Sequence, residues 1–249
     1  MPGSLDELTR SGWPGLSEVD VDGWVVRISG GVTQRANSVL PRAAPPDPAV
    51  ALAEVERRYR EHGLPAVFQL SPDARPDGLD GLLVARGYRY GSPTTVAVAD
   101  VGTALDRLPD NDVRVTVATE PDPVWLALWW AVDGRGDERA LATARRILTG
   151  GPALYGTVTD AGGAAAVARL ALVDDWGGLY CMATRPDARR RGHGGAVLRG
   201  LLAHAADTGI RRTWLQVRAE NTAALALYTA AGYTPATRYH YRTGPTPAR

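Results

Sequence analysis

Residues 179–202 read LYCMATRPDARRRGHGGAVLRGLL and encode an extended segment, an arginine-rich turn, a group of glycines and the start of an apolar helix. Three glycines between 192 and 195 stand where the helix must begin, so the backbone there can approach a ligand closely and present unused N–H groups. Helix N-termini stabilise anions, and the arginines at 189–191 add positive charge. The stretch predicts an anion site suited to a pyrophosphate. The alternative is a tight connection beside a solvated run of arginines.

Two well-known phosphate motifs do not match this stretch. A dinucleotide fingerprint of the form GxGxxG would need a third glycine where Val197 stands. A Walker phosphate loop needs a lysine, and the chain contains none. The anion site therefore has to be explained by another kind of protein.

The composition is that of an ordinary folded protein with one large or two compact domains. The 249 residues are 45% hydrophobic and 22% charged, with a formal net charge of +1, so the chain lacks the general positive field of a nucleic-acid binder. The single cysteine, Cys181, excludes an internal disulfide, and four histidines supply no zinc-ligand spacing. No apolar run approaches the ~20 residues of a membrane span. We expect no metal, no nucleic-acid or membrane partner, and a cytoplasmic location.

The second half of the chain predicts a mixed α/β fold. Hydrophobic periodicity and turn residues indicate a strand at 113–118, helices at 123–130 and 137–148, strands at 153–159, 164–172 and 178–184, a helix at 194–207, a strand at 212–217, a helix at 222–231 and a strand at 234–241. Short turns separate the three central strands, which are expected to pair antiparallel.

The first half predicts a shorter series of elements. The pattern indicates strands at 24–29, 36–40, 66–70 and 94–101, helices beginning at 48 and 79, and a linker at 106–112. Asp47 is a candidate N-cap, with Pro48 at the first helical position.

The two halves echo one another. Phe68-Gln69-Leu70, a helix and Gly87-Tyr88 parallel Leu215-Gln216-Val217, a helix and Gly232-Tyr233. The echo indicates a duplication with domains at 1–108 and 109–249; a coincidental recurrence is the alternative.

An amide and a phenol are expected on one face of the helix at 222–231. Asn221 and Tyr228 are seven residues apart, which is about two helical turns. Each has a plain structural alternative, because Asn221 can cap the helix and Tyr228 can belong to the core.

Arg189-x-x-Gly192-x-Gly194 after a strand, then Asn221, then Leu227-Tyr228 with Gly232-Tyr233, together resemble the GNAT superfamily of acetyl-CoA-dependent N-acetyltransferases. The resemblance covers about residues 113–245, and the predicted order of elements is that family's order. It implies a central mixed sheet flanked by helices and direct transfer of an acetyl group from acetyl-CoA to a primary amine of a small molecule or a protein N-terminus. It also implies that Tyr228 protonates the departing thiolate. The implied coenzyme-binding residues are Met182, Ala183, Thr184, Arg189, Arg190, Arg191, Gly192, His193, Gly194, Gly195, Asn221 and Tyr228.

The general base is unassigned. The stretch from Trp214 to Tyr228 looks most like the ribosomal-protein alanine N-acetyltransferases, which carry a glutamate where this chain has Gln216. Glutamine cannot accept a proton as a base, and the strand at 178–184 also lacks a carboxylate. The remaining candidates are Glu120, Asp133 and Glu138.

The first half resembles a degenerate copy of the same fold. Prolines between Pro41 and Pro48 replace the glycine turn and remove backbone donors, and Leu83 stands at the position that matches Tyr228. This half is expected to bind no coenzyme. Thr33, Arg35 and Asn37 are candidates for the acceptor site, with a plain surface hairpin as the alternative.

Two rival functions stay open at this stage. One is a non-catalytic acyl-CoA sensor, in which the missing carboxylate marks lost chemistry. The other is a plain nucleotide-binding module. Neither the acceptor amine nor the oligomeric state is indicated by the sequence.

Overall fold

The structure is a computed structural model that describes residues 4–110, 113–134 and 136–246. In chain order its helices are α1 Leu5–Gly12, α2 Pro48–Glu61, α3 Leu79–Ala85, α4 Val101–Arg107, α5 Pro123–Asp133, α6 Glu138–Leu148, α7 His193–Asp207 and α8 Thr222–Ala230. Its strands are β1 Ser17–Val21, β2 Trp24–Ile28, β3 Val39–Pro41, β4 Val67–Leu70, β5 Arg89–Asp100, β6 Val115–Ala118, β7 Ala153–Asp160, β8 Gly163–Val173, β9 Trp176–Thr184, β10 Arg212–Arg218 and β11 Thr234–Thr243. The expected mixed α/β class is confirmed.

Three elements were not predicted: α1, β1 and α4. The predicted linker at 106–112 is wrong in its first part, because α4 extends to Arg107; positions 111 and 112 lie outside the described residues. The strand predicted at 36–40 is observed at Val39–Pro41. These are short segments whose structure depends on packing more than on local sequence.

The chain divides into two compact units that differ from the predicted halves. The first unit comprises 1–12, 96–137 and 151–236, and the second comprises 13–95, 138–150 and 237–249. β5 begins in the second unit and ends in the first, whereas β11 does the reverse. Each predicted half contributes residues to both units. The domain boundary between residues 108 and 109 therefore stays a prediction from the sequence.

The second unit is organised around an aromatic core. β2 pairs antiparallel with β1 and β3, β3 pairs parallel with β4, and β4 pairs antiparallel with β11. The Phe68 ring makes edge contacts with Trp24 at 5.3 Å and with Tyr88 at 5.9 Å between centroids. The predicted start of α2 is confirmed, since the Asp47 carboxylate accepts hydrogen bonds from the N–H groups of Ala49 and Val50.

The first unit has helices on both faces of its sheet. β6, β7, β8 and β9 pair antiparallel in succession, and β9 pairs parallel with β10. On one face α7 packs so closely that a Cβ at Gly156 would lie 2.8 Å from Val197. The preceding residue, Tyr155, points to the opposite face, and its ring makes an edge contact with Trp125 of α5 at 5.3 Å between centroids.

The echo between the two halves has a structural counterpart. The N–H of Tyr88 donates to the carbonyl of Leu83, and the N–H of Tyr233 donates to that of Tyr228, both at 3.0 Å. Gly87 and Gly232, which directly precede these two tyrosines, adopt positive φ angles of 77° and 90°, as is common where a helix ends. Both helices thus end by the same device, at equivalent places of the repeated pattern.

Candidate active site

Strands β9 and β10 part in the middle of the first unit. They pair from Trp176 and Arg212 only as far as Leu179 and Leu215. Beyond that point β9 stays paired with β8, through Ala183 with Val167 and Thr184 with Ala166. The Met182–Thr184 segment, whose residues the resemblance names among the coenzyme contacts, thereby faces an opening between the two strands.

A bulge in β9 accompanies this separation. The register between β8 and β9 shifts between Val167 and Arg169, and Cys181 adopts a φ of 55°. Bulges bend a strand and end its pairing on one side, and they recur next to active sites.

The glycine turn after β9 leads directly into α7, as predicted. Gly192 is the N-cap with a φ of 81°, and it offers no side-chain oxygen to the first N–H groups of the helix. A Cβ at Gly194 would meet only Leu227, at 3.6 Å. The start of α7 is therefore a candidate backbone cradle for an anion, because it combines N–H groups that no side chain caps with the positive end of the helix dipole.

Arg185 fixes the segment that leads from β9 to the glycine turn. Its guanidinium bonds Asp160 at 2.9 and 3.0 Å and Asp187 at 2.6 Å, and these bonds lower the pKa of both carboxyls below their usual range. The predicted coenzyme contacts Arg189, Arg190 and Arg191 are exposed just before α7.

His193, the first residue of α7, is largely buried. Its side chain is 12% exposed, and Nε2 lies 3.9 Å from a carboxylate oxygen of Asp160. Its Nδ1 is buried with no hydrogen-bond partner among the described residues. This nitrogen belongs to the first residue of α7. The coenzyme contact of His193 stays a prediction.

Asn221 and Tyr228 have different surroundings. Asn221 is exposed and caps α8, because its Oδ1 accepts the N–H of Ala224 at 3.2 Å. Tyr228 is 8% exposed in the apolar core, with its ring 5.9 Å from that of Tyr233. The capping alternative for Asn221 is therefore realised, while the coenzyme roles of both residues stay predictions.

A hydrogen-bond cluster that sequence reasoning missed lies on the α1 side of the opening. The Tyr180 hydroxyl donates to the carbonyl of Thr9 at 3.2 Å and accepts from Trp214 Nε1 at 3.3 Å and Gln216 Nε2 at 3.4 Å. Tyr180 and Gln216 are the first residues of β9 and β10 beyond the last strand pair. No local signal pointed to this cluster, since α1 itself was not predicted.

Arg169 ties α1 to the same face. It is 1% exposed, and its guanidinium donates to the carbonyl of Gly12 at 2.8 Å. The guanidinium carbon also lies 6.0 Å from the ring centre of Tyr155 and 5.7 Å from that of Tyr180, a distance at which cation–π attraction operates. A buried cation thus holds the C-terminal end of α1 against the opening.

The close approach of α1 requires glycine at position 12. A Cβ there would lie 2.7 Å from the Trp214 ring and 2.8 Å from the Tyr180 hydroxyl. We expect Gly12→Ala to lower the free energy of unfolding by about 1–3 kcal/mol, as overpacking does, in urea denaturation. Gly102→Ala in α4 is the matched control, because its Cβ meets nothing within 4 Å. Equal unfolding midpoints for the two variants would contradict this packing.

The three carboxylates considered as possible general bases do not form a cluster. Glu120 and Asp133 are exposed in the first unit, and Glu138 begins α6 in the second unit. Among the described residues, no three or more His, Cys, Asp or Glu side chains group in a way that could hold a metal ion. Within the same residues, no helix has the length and apolar character of a membrane span.

The candidates in the first half lie in the second unit and organise their own loop. Asn37 Oδ1 accepts the N–H groups of Ser29 and Gly31 at 2.7 and 2.8 Å. Thr33 Oγ1 accepts the indole N–H of Trp13 at 3.1 Å. These bonds give Thr33 and Asn37 a structural role; the acceptor role predicted for them and for Arg35 stays a prediction.

Comparison with known protein families gives a match over nearly the whole chain. The family described as probable histone acetyltransferase Rv0428c, C-terminal, matches residues 4–242. The uncharacterized N-acetyltransferase YobR of Bacillus subtilis strain 168 is 31% identical over 241 residues, 96% of each chain. The ribosomal protein bS18 alanine N-acetyltransferase of Escherichia coli K12 is 40% identical over 88 residues, which are 34% of this chain and 60% of that protein.

Solved structures resemble the chain along its full length. A tandem GNAT protein from the clavulanic acid biosynthesis pathway superimposes with a TM-score of 0.63 at 13% identity, covering 100% of this chain and 89% of that one. At such identity the likeness concerns the fold alone. It extends over both predicted halves.

Proposed function

The chain belongs to the Rv0428c C-terminal acetyltransferase family, within the GNAT N-acetyltransferases, and we propose that it transfers an acetyl group directly from acetyl-CoA to a primary amine of a small molecule or a protein N-terminus. The opening between β9 and β10, leading to the uncapped start of α7, carries this proposal. An extended thioester with a pyrophosphate at one end matches that shape and charge.

The chain's own groups have distinct tasks in the proposed reaction. The N–H groups at the start of α7 hold the pyrophosphate, and the free edge of Met182–Thr184 bonds the pantetheine amides. The thioester then lies toward the inner end of the opening, where the strands meet. There the amine attacks the thioester carbon, the C–N bond forms and the C–S bond breaks. Tyr228 gives its proton to the departing sulfur, and the proton that the nitrogen loses passes to solvent, from which Tyr228 is reprotonated.

Only the first unit is proposed to bind the coenzyme. In the second unit Pro41 ends β3 where the glycine turn would begin, and the buried Leu83 takes the place of Tyr228. We expect calorimetric titration with acetyl-CoA to give one site per chain. Two sites would contradict the assignment of a degenerate first half.

The proposal is tested by binding and by turnover. Acetyl-CoA should bind more tightly than 3′-phospho-ADP, which lacks the pantetheine arm, and free thiol should appear in step with acetylated amine across an amine panel. Equal affinity for the two ligands would indicate a plain nucleotide-binding module. Binding of acetyl-CoA without thiol release for any amine would indicate a sensor.

A further inference from the structure

A cavity of about 410 Å³ lies in the second unit, where β4 ends and α3 begins. We call it the β4–α3 cavity. Its volume falls within the range of about 300–1,000 Å³ that is usual for small-molecule sites. No residue that was given a task in acetyl transfer lines this cavity.

One wall of the β4–α3 cavity is apolar and is fixed by the core. It includes Leu70 and Leu79, which are buried, and the rings of Pro72 and Pro76. The loop that carries the two prolines is anchored through Arg75. The carbonyl of Arg75 accepts the indole N–H of the buried Trp24 at 2.9 Å, and its own N–H donates to the carbonyl of Pro41 at 2.9 Å. A ligand would therefore meet a wall that is already ordered, which lowers the entropic cost of binding.

The opposite side of the cavity is formed by β11. Arg238, His240 and Arg242 are alternate residues of this strand and so lie on one face of it. Tyr239 and Tyr241 between them are buried on the other face. Because His240 pairs with Leu70, the last residue of β4, Arg238 lies beyond the end of β4 and beside the cavity.

Asp80 of α3 binds two of these three cations. Its carboxylate accepts hydrogen bonds from Arg242 Nε at 2.6 Å, from Arg242 Nη2 at 3.1 Å and from His240 Nε2 at 3.1 Å. The hydrogen bond from Arg242, with that from His240, lowers the pKa of Asp80 to about 2. The His240 ring also stacks on Tyr90 at 4.8 Å between centroids. His240 is thus a fixed part of the wall, and the charge of Asp80 is balanced by Arg242.

Arg238 keeps a positive charge that nothing nearby balances. Its side chain is exposed, and within the described part of the chain it makes no hydrogen bond or ion pair. The other carboxylate that lines the cavity, Asp77, lies 3.4 Å from Arg75 Nη1. With both carboxylates paired, the excess charge at the cavity is positive, which favours an anion. A guanidinium binds a carboxylate especially well, because two of its N–H groups can bond the two oxygens in parallel.

We propose that the β4–α3 cavity binds a small organic monocarboxylate. The carboxylate lies on Arg238, and a compact apolar body covers Leu70, Leu79 and the two prolines. This site is separate from the coenzyme site and does not depend on the proposed acetyl transfer.

The test follows 3-phenylpropanoate by two-dimensional ¹H–¹⁵N NMR of the ¹⁵N-labelled full-length protein. We expect the amide signals of residues 77–80 and 238–240 to shift saturably in the millimolar range or below. The uncharged 3-phenylpropanamide has the same shape and should bind at least about tenfold more weakly, the low end for a hydrogen bond to a charged group. Equal affinity for acid and amide, or no saturable shift of these signals, would overturn the proposal.

Inorganic phosphate separates a carboxylate site with an apolar wall from a bare anion site. Phosphate should bind more weakly than 3-phenylpropanoate, because it leaves the apolar wall uncovered. If phosphate bound as tightly, the wall would contribute nothing and the proposed ligand class would be wrong.

A pair of variants tests Arg238 directly. Arg238→Gln should weaken the binding of 3-phenylpropanoate at least about tenfold without unfolding the protein, since the side chain is exposed. Arg139→Gln is the matched control, because it removes the same charge from an exposed position of α6 in the same unit, and it should bind as the wild type does. Wild-type affinity in the Arg238 variant, or an equal loss in the control, would show that Arg238 does not hold the carboxylate.

Discussion

Gly194→Asp is expected to weaken acetyl-CoA binding by roughly 10²- to 10³-fold while leaving the protein folded. Position 194 lies in the first turn of α7, and a Cβ there would make only an ordinary contact with Leu227 at 3.6 Å. The substitution therefore places a carboxylate in the cradle without a clash inside the chain. A negative charge about 4 Å from a phosphate costs about 4 kcal/mol at the effective dielectric constant of a protein surface, so affinity should fall roughly 10²- to 10³-fold.

Gly194→Ala is the matched control for this prediction. It adds the same Cβ without the charge and favours the helix, so it should melt at or above the wild-type temperature and keep most of the affinity. Isothermal titration calorimetry measures both variants. If the folded Asp variant binds acetyl-CoA as the wild type does, the pyrophosphate does not lie at the start of α7.

Tyr228→Phe is expected to lower kcat by roughly 10²-fold, the lower end for the loss of one general acid. Thiols ionise near ~8.5 and tyrosine side chains near ~10 in model peptides, so a phenol can protonate a departing thiolate at neutral pH. The variant keeps the ring that packs against Tyr233 at 5.9 Å, so stability and acetyl-CoA affinity should change little.

Single-turnover and steady-state rates with a turned-over amine measure this effect. Tyr233→Phe is the control, because its hydroxyl is bonded to Thr213 at 3.0 Å in the core and has no proposed catalytic task. A Tyr228→Phe variant within about threefold of wild type would show that water, and not this phenol, supplies the proton.

Predictions that depended on local chemistry were accurate. α3 begins at the predicted residue 79, and Gly87 follows its end in the left-handed conformation. α2 begins at Pro48 behind the Asp47 cap, and the three-stranded succession β7–β8–β9 follows from alternation and turn residues. The GNAT resemblance, resting on the glycine turn and on the Asn221 to Tyr233 spacing, is confirmed by the comparisons.

The sequence did not predict features that depend on contacts between residues far apart in the chain. The observed units could not be read from the linker at 106–112, since β11 turns back to pair Tyr241 with Gln69. The same holds for Tyr180. Its hydroxyl partner, Thr9, is 171 residues away, and Arg169 reaches Gly12 across 157 residues.

The amino-acid sequence by itself determined the order of the elements after position 113, the glycine turn before α7 and the absence of a carboxylate at position 216. Caps, turns and hydrophobic periods act over a few residues, so a single chain displays them directly. Only the tertiary structure decided that β9 and β10 part after Leu179 and Leu215, that α1 covers one side of that opening, and that Gln216 turns its NH₂ toward Tyr180. Those features arise from strand register and side-chain packing between distant segments, and these long-range contacts leave no periodic trace in the sequence.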